Sequence, residues 1–225
     1  MADTRQIAPL ILASASPRRR ELLGRLGIPF IVRPADVDET ALEAAFTGAS
    51  EELALHLARH KAAAGMAALT AEEITAGAII IAADTTVLLD EAILGKPRNA
   101  DEAWDMLRRL RGRTHVVCTG VIVQPTVGAA ASVAIATRVT MRSYADAEIA
   151  RYIASGDPFD KAGSYAIQHP DFQPVARIDG CATNVIGLPL CELTQLLRPL
   201  GLSLLSPAPL PNGCLWDARC RLVRI

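Results

Sequence analysis

The stretch "GAIIIAADTTVLLD", Gly77 to Asp90, restricts the fold more than any other part of the chain. It reads as a fully buried strand, and a strand of that kind must be covered on both faces. A sheet with helices packed on it supplies the cover. The longest unbroken apolar run, Ala76 to Ala83, is far too short to cross a bilayer. One acid, Asp84, interrupts the stretch. A carboxylate in a buried strand is costly unless it is paired or binds a metal. Either Asp84 sits at the strand's end and caps a turn with Thr85, or it is a metal ligand or base at the mouth of the sheet, where ligands of α/β folds bind.

The rest of the chain alternates between strand and helix patterns. "PLILAS" (Pro9 to Ser14) reads as a short buried strand running into a helix, with Ser16 as its N-cap and Pro17 at its first position, where a missing N–H costs nothing. That helix ends near Gly24 to Gly27. "IPFIVRPADV" has period-2 character, and "SEELALHLARHKAAAGMAAL" predicts an amphipathic helix capped by Ser50. "NADEAWDMLRRLRG" predicts a helix capped by Asn99. "THVVCTGVIVQP" and "SVAIATRVTMRSY" are long strands joined by a Gly/Ala linker, and so form a hairpin. "ADAEIARYIASG" and "GLPLCELTQLLRPLG" are helices, the last begun near Pro189. This order predicts an α/β fold on a mixed sheet, not a pure doubly wound one. Residues 1–206 form the domain, and the Pro-rich residues 207–225 form an appended, weakly ordered tail.

Several function classes are excluded. With 225 residues, 51% of them hydrophobic and 21% charged, the chain has a globular composition. Its net charge of −1 gives no global basic field, so nucleic acid is not an expected partner and any basic site must be local. The start, "MADTRQIAP", has no apolar signal core, which points to the cytosol and away from membranes. The five cysteines include no C-x-x-C and read as reduced, mostly buried thiols, with Cys214 and Cys220 the only pair placed for a disulfide. There is no G-x-x-x-x-G-K-[ST], no G-x-G-x-x-G for a dinucleotide, and no G-x-S-x-G. "HLARH" puts His56 and His60 at zinc-helix spacing but lacks the glutamate and a third ligand.

What remains is a set of charges in unusual places. Arg18, Arg19 and Arg20 follow the Ser-Pro cap at once, at a helix end that already favours anions. Arg20 is expected in solvent, paired with Glu21 or its neighbours. Lys96 projects from the tight "LGKP" turn. Lys61 ends "LARHK" near a helix C-terminus, where a cation is favourable in any case. Asp36, Asp38 and Glu39 follow a strand, a natural place for hard-cation ligands. Arg18 and Arg19 would meet anionic ligand oxygens at the helix N-terminus. The carboxylates would hold a divalent ion on the same ligand, since Mg²⁺ usually takes one or two carboxylates plus substrate phosphates.

At these residues the sequence resembles the Maf family of nucleoside triphosphate pyrophosphatases, over roughly residues 9 to 200. "LASASPRRRELL" is similar to the family's opening S-x-S-P-R-R segment, "AADTTV" to its catalytic strand end and "LGKP" to its lysine loop. "GRTHVVCTGV" is similar to its G-x-x-H-x-V-x-T-G strand, and "GLPL" to its closing motif. "DKAGSYAIQ" (Asp160 to Gln168) resembles the branch acting on dTTP and UTP. Ala166 and His169 stand where the family pattern has glycines.

The resemblance implies an elongated, bent mixed sheet flanked by helices, with two lobes around a cleft, similar to the inosine triphosphate pyrophosphatases. It implies a homodimer. It makes Asp84 the proton acceptor, and it makes Arg18, Thr85 and Gln168 the positions that set nucleotide choice. Ser14, Arg18, Arg19, Lys61 and Lys96 would bind phosphates, and Asp84 with Glu39 would hold Mg²⁺ or Mn²⁺. The implied reaction turns a nucleoside triphosphate, dTTP or UTP first and non-canonical nucleotides besides, into the monophosphate and pyrophosphate. The Gln168 amide both donates and accepts, which suits a pyrimidine edge with N3–H and C4=O. Two other readings use the same cations: a nucleotide-binding regulator of cell division without turnover, and a nucleotidyltransferase with a second acceptor substrate.

Overall fold

The structure, a computed structural model, describes residues 8–202 together with Leu204, Trp216 and Asp217. The first half runs β1 (Leu10–Leu12), α1 (Pro17–Gly24), β2 (Ile31–Val32), α2 (Glu39–Ala45), α3 (Leu53–Ala67), α4 (Ala71–Thr75) and β3 (Ile79–Leu89). The second runs β4 (Ala92–Leu94), α5 (Ala100–Leu110), β5 (Thr114–Pro125), β6 (Ala131–Met141), α6 (Asp146–Ala154), β7 (Val175–Asp179), α7 (Ala182–Ile186) and α8 (Leu190–Leu197). The strands form one mixed sheet in the order β2-β1-β3-β5-β6-β7, with β4 also on β3. β1 lies parallel to β2 and β3, and the remaining pairings are antiparallel. The expected mixed α/β sheet and its central hairpin, β5–β6, are both present.

β3 has two different edges. Along one it pairs with β5 from Ile79 to Leu88. Along the other it meets β1 only at Ile79–Ile81 and β4 only at Val87–Leu89. Among the described strands none covers residues 82–86 on that side, so the sheet opens there. Asp84 is therefore not at the end of its own strand, as a turn-capping role would require. It lies mid-strand, opposite Gly120, just past the point where β1 stops.

Period-2 alternation along β3 then separates the layers. Ile79, Ile81 and Ala83 enter a core with Leu22, Leu23, Leu190 and Leu193 of α1 and α8. Val87 and Leu89 enter a second core with Leu107, Tyr144, Tyr152 and Phe172. Ile80 and Ala82 face the other way, onto Ala58 and Ala62 of α3. Two lobes thus share the same long strands, and Thr85 falls between their cores.

The caps follow the sequence in two places. Ser16 accepts from the Arg19 amide with Pro17 behind it, and Asn99 accepts from the Glu102 amide. Ser50 does not cap α3. It opens a 3₁₀ turn, Ser50–Glu52, and the α-helix starts at Leu53. Lys61 accordingly lies in the middle of α3, on its buried face, and not near a C-terminus. β2 is shorter than its alternation suggests, because Ile31 and Val32 are on an exposed edge. Trp216, within the expected tail, packs against the α8 side of the body. The boundary at residue 206, Cys214, Cys220 and the start "MADTRQI" lie outside the described residues. Among the described residues no helix is long and apolar enough to cross a membrane.

α3 approaches the sheet very closely. A Cβ on Gly120 would stand 2.4 Å from Leu55 Cα, and one on Gly65 would stand 3.2 Å from both Ala13 Cβ and Ile80 Cγ2. Glycine inside a strand often marks such a close backbone approach. Gly120→Ala forces α3 outward and should cost about 1–3 kcal/mol, as overpacking does. Urea unfolding should show a lower midpoint with an unchanged slope.

Candidate active site

The opening in the sheet leads into a cleft of about 830 Å³. Ser14, Arg18, Arg19, Glu39, Lys61, Asp84, Thr85, Lys96 and Gln168 all line it, although they come from seven separate segments. The fold brings these nine residues to one cleft, with Asp38 beside Glu39, while Asp36, offered with them as a cation ligand, does not line it.

Asp84 and Lys61 form the floor. Both are buried, and the Lys61 ammonium donates to Asp84 Oδ1. The same ammonium lies 3.0 Å from Glu39 Oε1. Glu39 opens α2, where Asp38 caps the helix by accepting from the Ala41 amide. Burial alone would raise the Glu39 pKa, but Lys61, Lys96 and Arg19 outweigh it and leave it lowered. One turn later, the Glu43 carboxyl is pushed up, first by burial and then by the charges of Asp84 and Glu39.

The arginines diverge from their shared helix turn. Arg19 donates from Nε to the Gly187 carbonyl at 2.9 Å, from Nη2 to Thr85 Oγ1 at 3.0 Å and from Nη1 to Ser14 Oγ at 3.3 Å. Burial lowers its pKa, with Asp84 pulling it back up and Arg18 adding to the drop. Arg18 crosses to Asp160, at 2.8 Å from Oδ2. Arg20 is exposed, but Glu21 pairs with Arg25, one helical turn away, and not with Arg20. Thr85 continues inward. Its hydroxyl meets Thr119 Oγ1 across the strands at 2.9 Å, and Thr119 donates to the Asn184 carbonyl.

The segment 157–169 forms the far wall. Buried Lys161 holds Asp157 at 2.9 Å and Asp160 at 2.6 Å, and so aims Asp160 at Arg18. The Gly163 amide donates to the Gly95 carbonyl at 3.0 Å and fixes the turn from which Lys96 projects. Tyr165 is buried, with its hydroxyl 2.6 Å from His115 Nε2. Gln168 is exposed on the turn that follows. No motif of their own marks Asp160, Lys161, Thr119, Asn184 or the His115–Tyr165 pair in the sequence. The signal available for them was a charged pair set against small residues in "DKAGS", and a histidine and a threonine inside a strand of valines.

Residues 9–200 match the family described as Maf-like protein. This chain belongs to the Maf-like protein family. A dTTP/UTP pyrophosphatase of Hyphomonas neptunium is 49% identical over 86% of this chain and 96% of its own. One from Myxococcus xanthus is 48% identical over 87% and 94%, and one from Thermomicrobium roseum is 46% identical over 91% of each. A solved dITP/XTP pyrophosphatase from Mycobacterium abscessus aligns at a TM-score of 0.37 and 16% identity, over 59% of this chain and 74% of that one.

Among the described residues of this Maf-like chain, no group of three or more His, Cys, Asp and Glu is placed to hold a metal. A dication completed by phosphate oxygens needs fewer ligands from the protein. Glu39 and Asp84 reach one common cation, Lys61, from two elements, and Glu43 lies one helical turn beyond Glu39 on the same cleft wall. The donor set fits a hard divalent ion.

Burial depresses the His115 pKa to about 4. The folded chain keeps the ring neutral, while the unfolded chain protonates it below about pH 6.5. Stability from this site is complete above pH 6.5 and falls as pH drops toward 4, by roughly 3 kcal/mol in total. His115→Gln should flatten that part of the stability–pH curve, measured by urea unfolding of both chains from pH 4 to 7.

Proposed function

We propose that this chain is a nucleoside triphosphate pyrophosphatase that hydrolyses dTTP and UTP to the monophosphate and pyrophosphate. The observation that carries the reading is a buried, lysine-held carboxylate at the floor of a cleft whose walls present arginines and lysines. The hydrolase names of relatives at 41–49% identity favour turnover over a non-catalytic regulator.

Hydrolysis forms a bond from a water oxygen to the α-phosphorus and breaks the bond from that phosphorus to the bridging oxygen of the leaving pyrophosphate. Asp84 accepts the water's proton, and Lys61 holds its carboxylate in place. Arg18, Arg19, Lys61 and Lys96, with the Ser14 hydroxyl, bind phosphate oxygens and stabilise charge that grows on them. Arg19 is preorganised for this by Thr85, Ser14 and the Gly187 carbonyl, so little reorganisation is needed. Arg18 must exchange Asp160 for the ligand. Glu39 and Asp84 would hold Mg²⁺ or Mn²⁺, which when bound supplies Lewis-acid polarisation of the phosphate oxygens. Gln168 reads the pyrimidine edge, with Arg18 and Thr85 contributing to nucleotide choice. The family resemblance further supports a homodimer in the cytosol.

Asp84→Asn keeps the side chain's shape and removes the base. It should lower kcat for dTTP by about a thousandfold with the fold intact, read by pyrophosphate release and circular dichroism. A substituted chain retaining near-full rate would remove Asp84 from the chemistry. In a separate measurement, EDTA should abolish pyrophosphate release and excess Mg²⁺ should restore it.

A further inference from the structure

The loop that carries Gln168 is fixed at both ends. Tyr165 is buried and bonded to His115, and Phe172 is buried and stacks on Tyr152 with ring centroids 4.4 Å apart. The Phe172 and Gln173 carbonyls are both held by Arg142. Between those anchors the chain turns at Ala166–His169, where the His169 amide donates to the Ala166 carbonyl. His169 then uses its side chain. Its Nδ1 accepts from the Phe172 amide at 3.0 Å and from the Asp171 amide at 3.3 Å. Two N–H groups point at that nitrogen, so the ring's proton is on Nε2. The ring also packs edge-on against Tyr152, with centroids 4.9 Å apart.

This is the bonding of an Asx turn, performed by histidine: a side-chain acceptor closes on amides two and three residues ahead. Pro170 between them has no N–H, so the Asp171 and Phe172 amides are the first available donors. Glycine at 169 could make neither bond, and glycines at 166 and 169 would leave the turn more conformations to lose. Ala166 and His169 together stiffen the loop.

We infer that His169 is a positioning residue for nucleobase selection: its Nδ1 cap on Asp171 and Phe172 fixes the turn that presents Gln168. The inference rests on the reading of Gln168 as the residue that meets the base. It names a determinant of this chain's preference that touches no substrate atom.

The test compares His169→Ala and His169→Asn in the full chain, because Asn Oδ1 lies the same number of bonds from Cα as His Nδ1 and can make the same cap. His169→Ala should raise KM for dTTP about tenfold and shrink the preference for dTTP over dGTP, with kcat within about threefold. His169→Asn should return KM to within about threefold of the unsubstituted chain. Hydrogen exchange should show the Asp171 and Phe172 amides losing protection in His169→Ala and keeping it in His169→Asn. An unchanged KM in His169→Ala, or an Asn variant as impaired as the Ala variant, would overturn the proposal. So would protection that survives in His169→Ala. A chain that releases pyrophosphate from no triphosphate would instead overturn the pyrophosphatase reading, so the two failures appear in separate measurements.

Discussion

The buried pair of Asp84 and Lys61 is the constraint on which the rest of the site depends. Each charge is almost wholly out of water. Either one left alone there would carry a desolvation penalty of about several kcal/mol, which only a close partner of opposite sign can offset. That requirement places α3 against the sheet with its ninth residue over β3. The glycine contacts on either side of Lys61, Gly120 against Leu55 and Gly65 against Ala13 and Ile80, make the approach close enough. The same pair explains why the sheet can open where it does. A strand that loses β1 at Ile81 and meets β4 only at Val87 leaves backbone N–H and C=O groups without a strand partner between them, and a polar cleft is the surrounding that can satisfy them.

The cleft is not a bare basic groove. Among the described residues six cations and five acids line it, and most of the cations are already paired. The protein therefore holds its arginines and lysines in position without accumulating repulsion, consistent with a net charge of only −1. A ligand bearing several negative charges must then exchange with those acids or arrive with a cation of its own. The three consecutive arginines at one helix start are tolerable for the same reason. Their side chains leave in different directions, to Asp160, to the Thr85 hydroxyl and to solvent, so the helix end itself is not crowded with positive charge.

The legible part of this structure is the part ruled by periodicity and by turn chemistry. β3, β5 and β6 could be read because buried runs of Ile and Val have few other fates. The caps Ser16 and Asn99 could be read because short oxygen side chains before a helix do one job well. β4, β7 and α7 were not legible. β7 buries only Ile178 fully, and its identity comes from pairing with β6, a tertiary fact. Lys61 shows the limit most clearly. From sequence it sat near a favourable helix end, and only the packing of α3 reveals that it faces inward. The nine residues that line the cleft were legible as a set through several motifs in order, yet their wiring was not. No local pattern says that Arg18 meets Asp160, or that Lys161 is the buried cation that aims it.

That wiring divides the site into a floor and walls with different mechanical properties. Thr85 and Thr119 form a polar seam between the two cores, and the seam runs on to Asn184, which donates to Thr137 and to the Val117 carbonyl. Its members lie on three adjacent strands and one short helix, and those strands pass through both lobes. Displacing one member therefore disturbs both cores at once, and the floor is rigid. The far wall is built differently, from turns tied by single side chains: Lys161 to Asp157 and Asp160, His115 to Tyr165, His169 to two amides. Tyr165 belongs to the second core, but the ties of Lys161 and His169 are made to carboxylates and to turn backbone, outside the apolar clusters. In the proposed reading, the chemistry common to all triphosphates falls to the floor, where Asp84 is. In the proposed reading, discrimination among bases falls to the wall, where His169 holds two amides of one loop and can alter its stiffness while the strands beneath stay as they are.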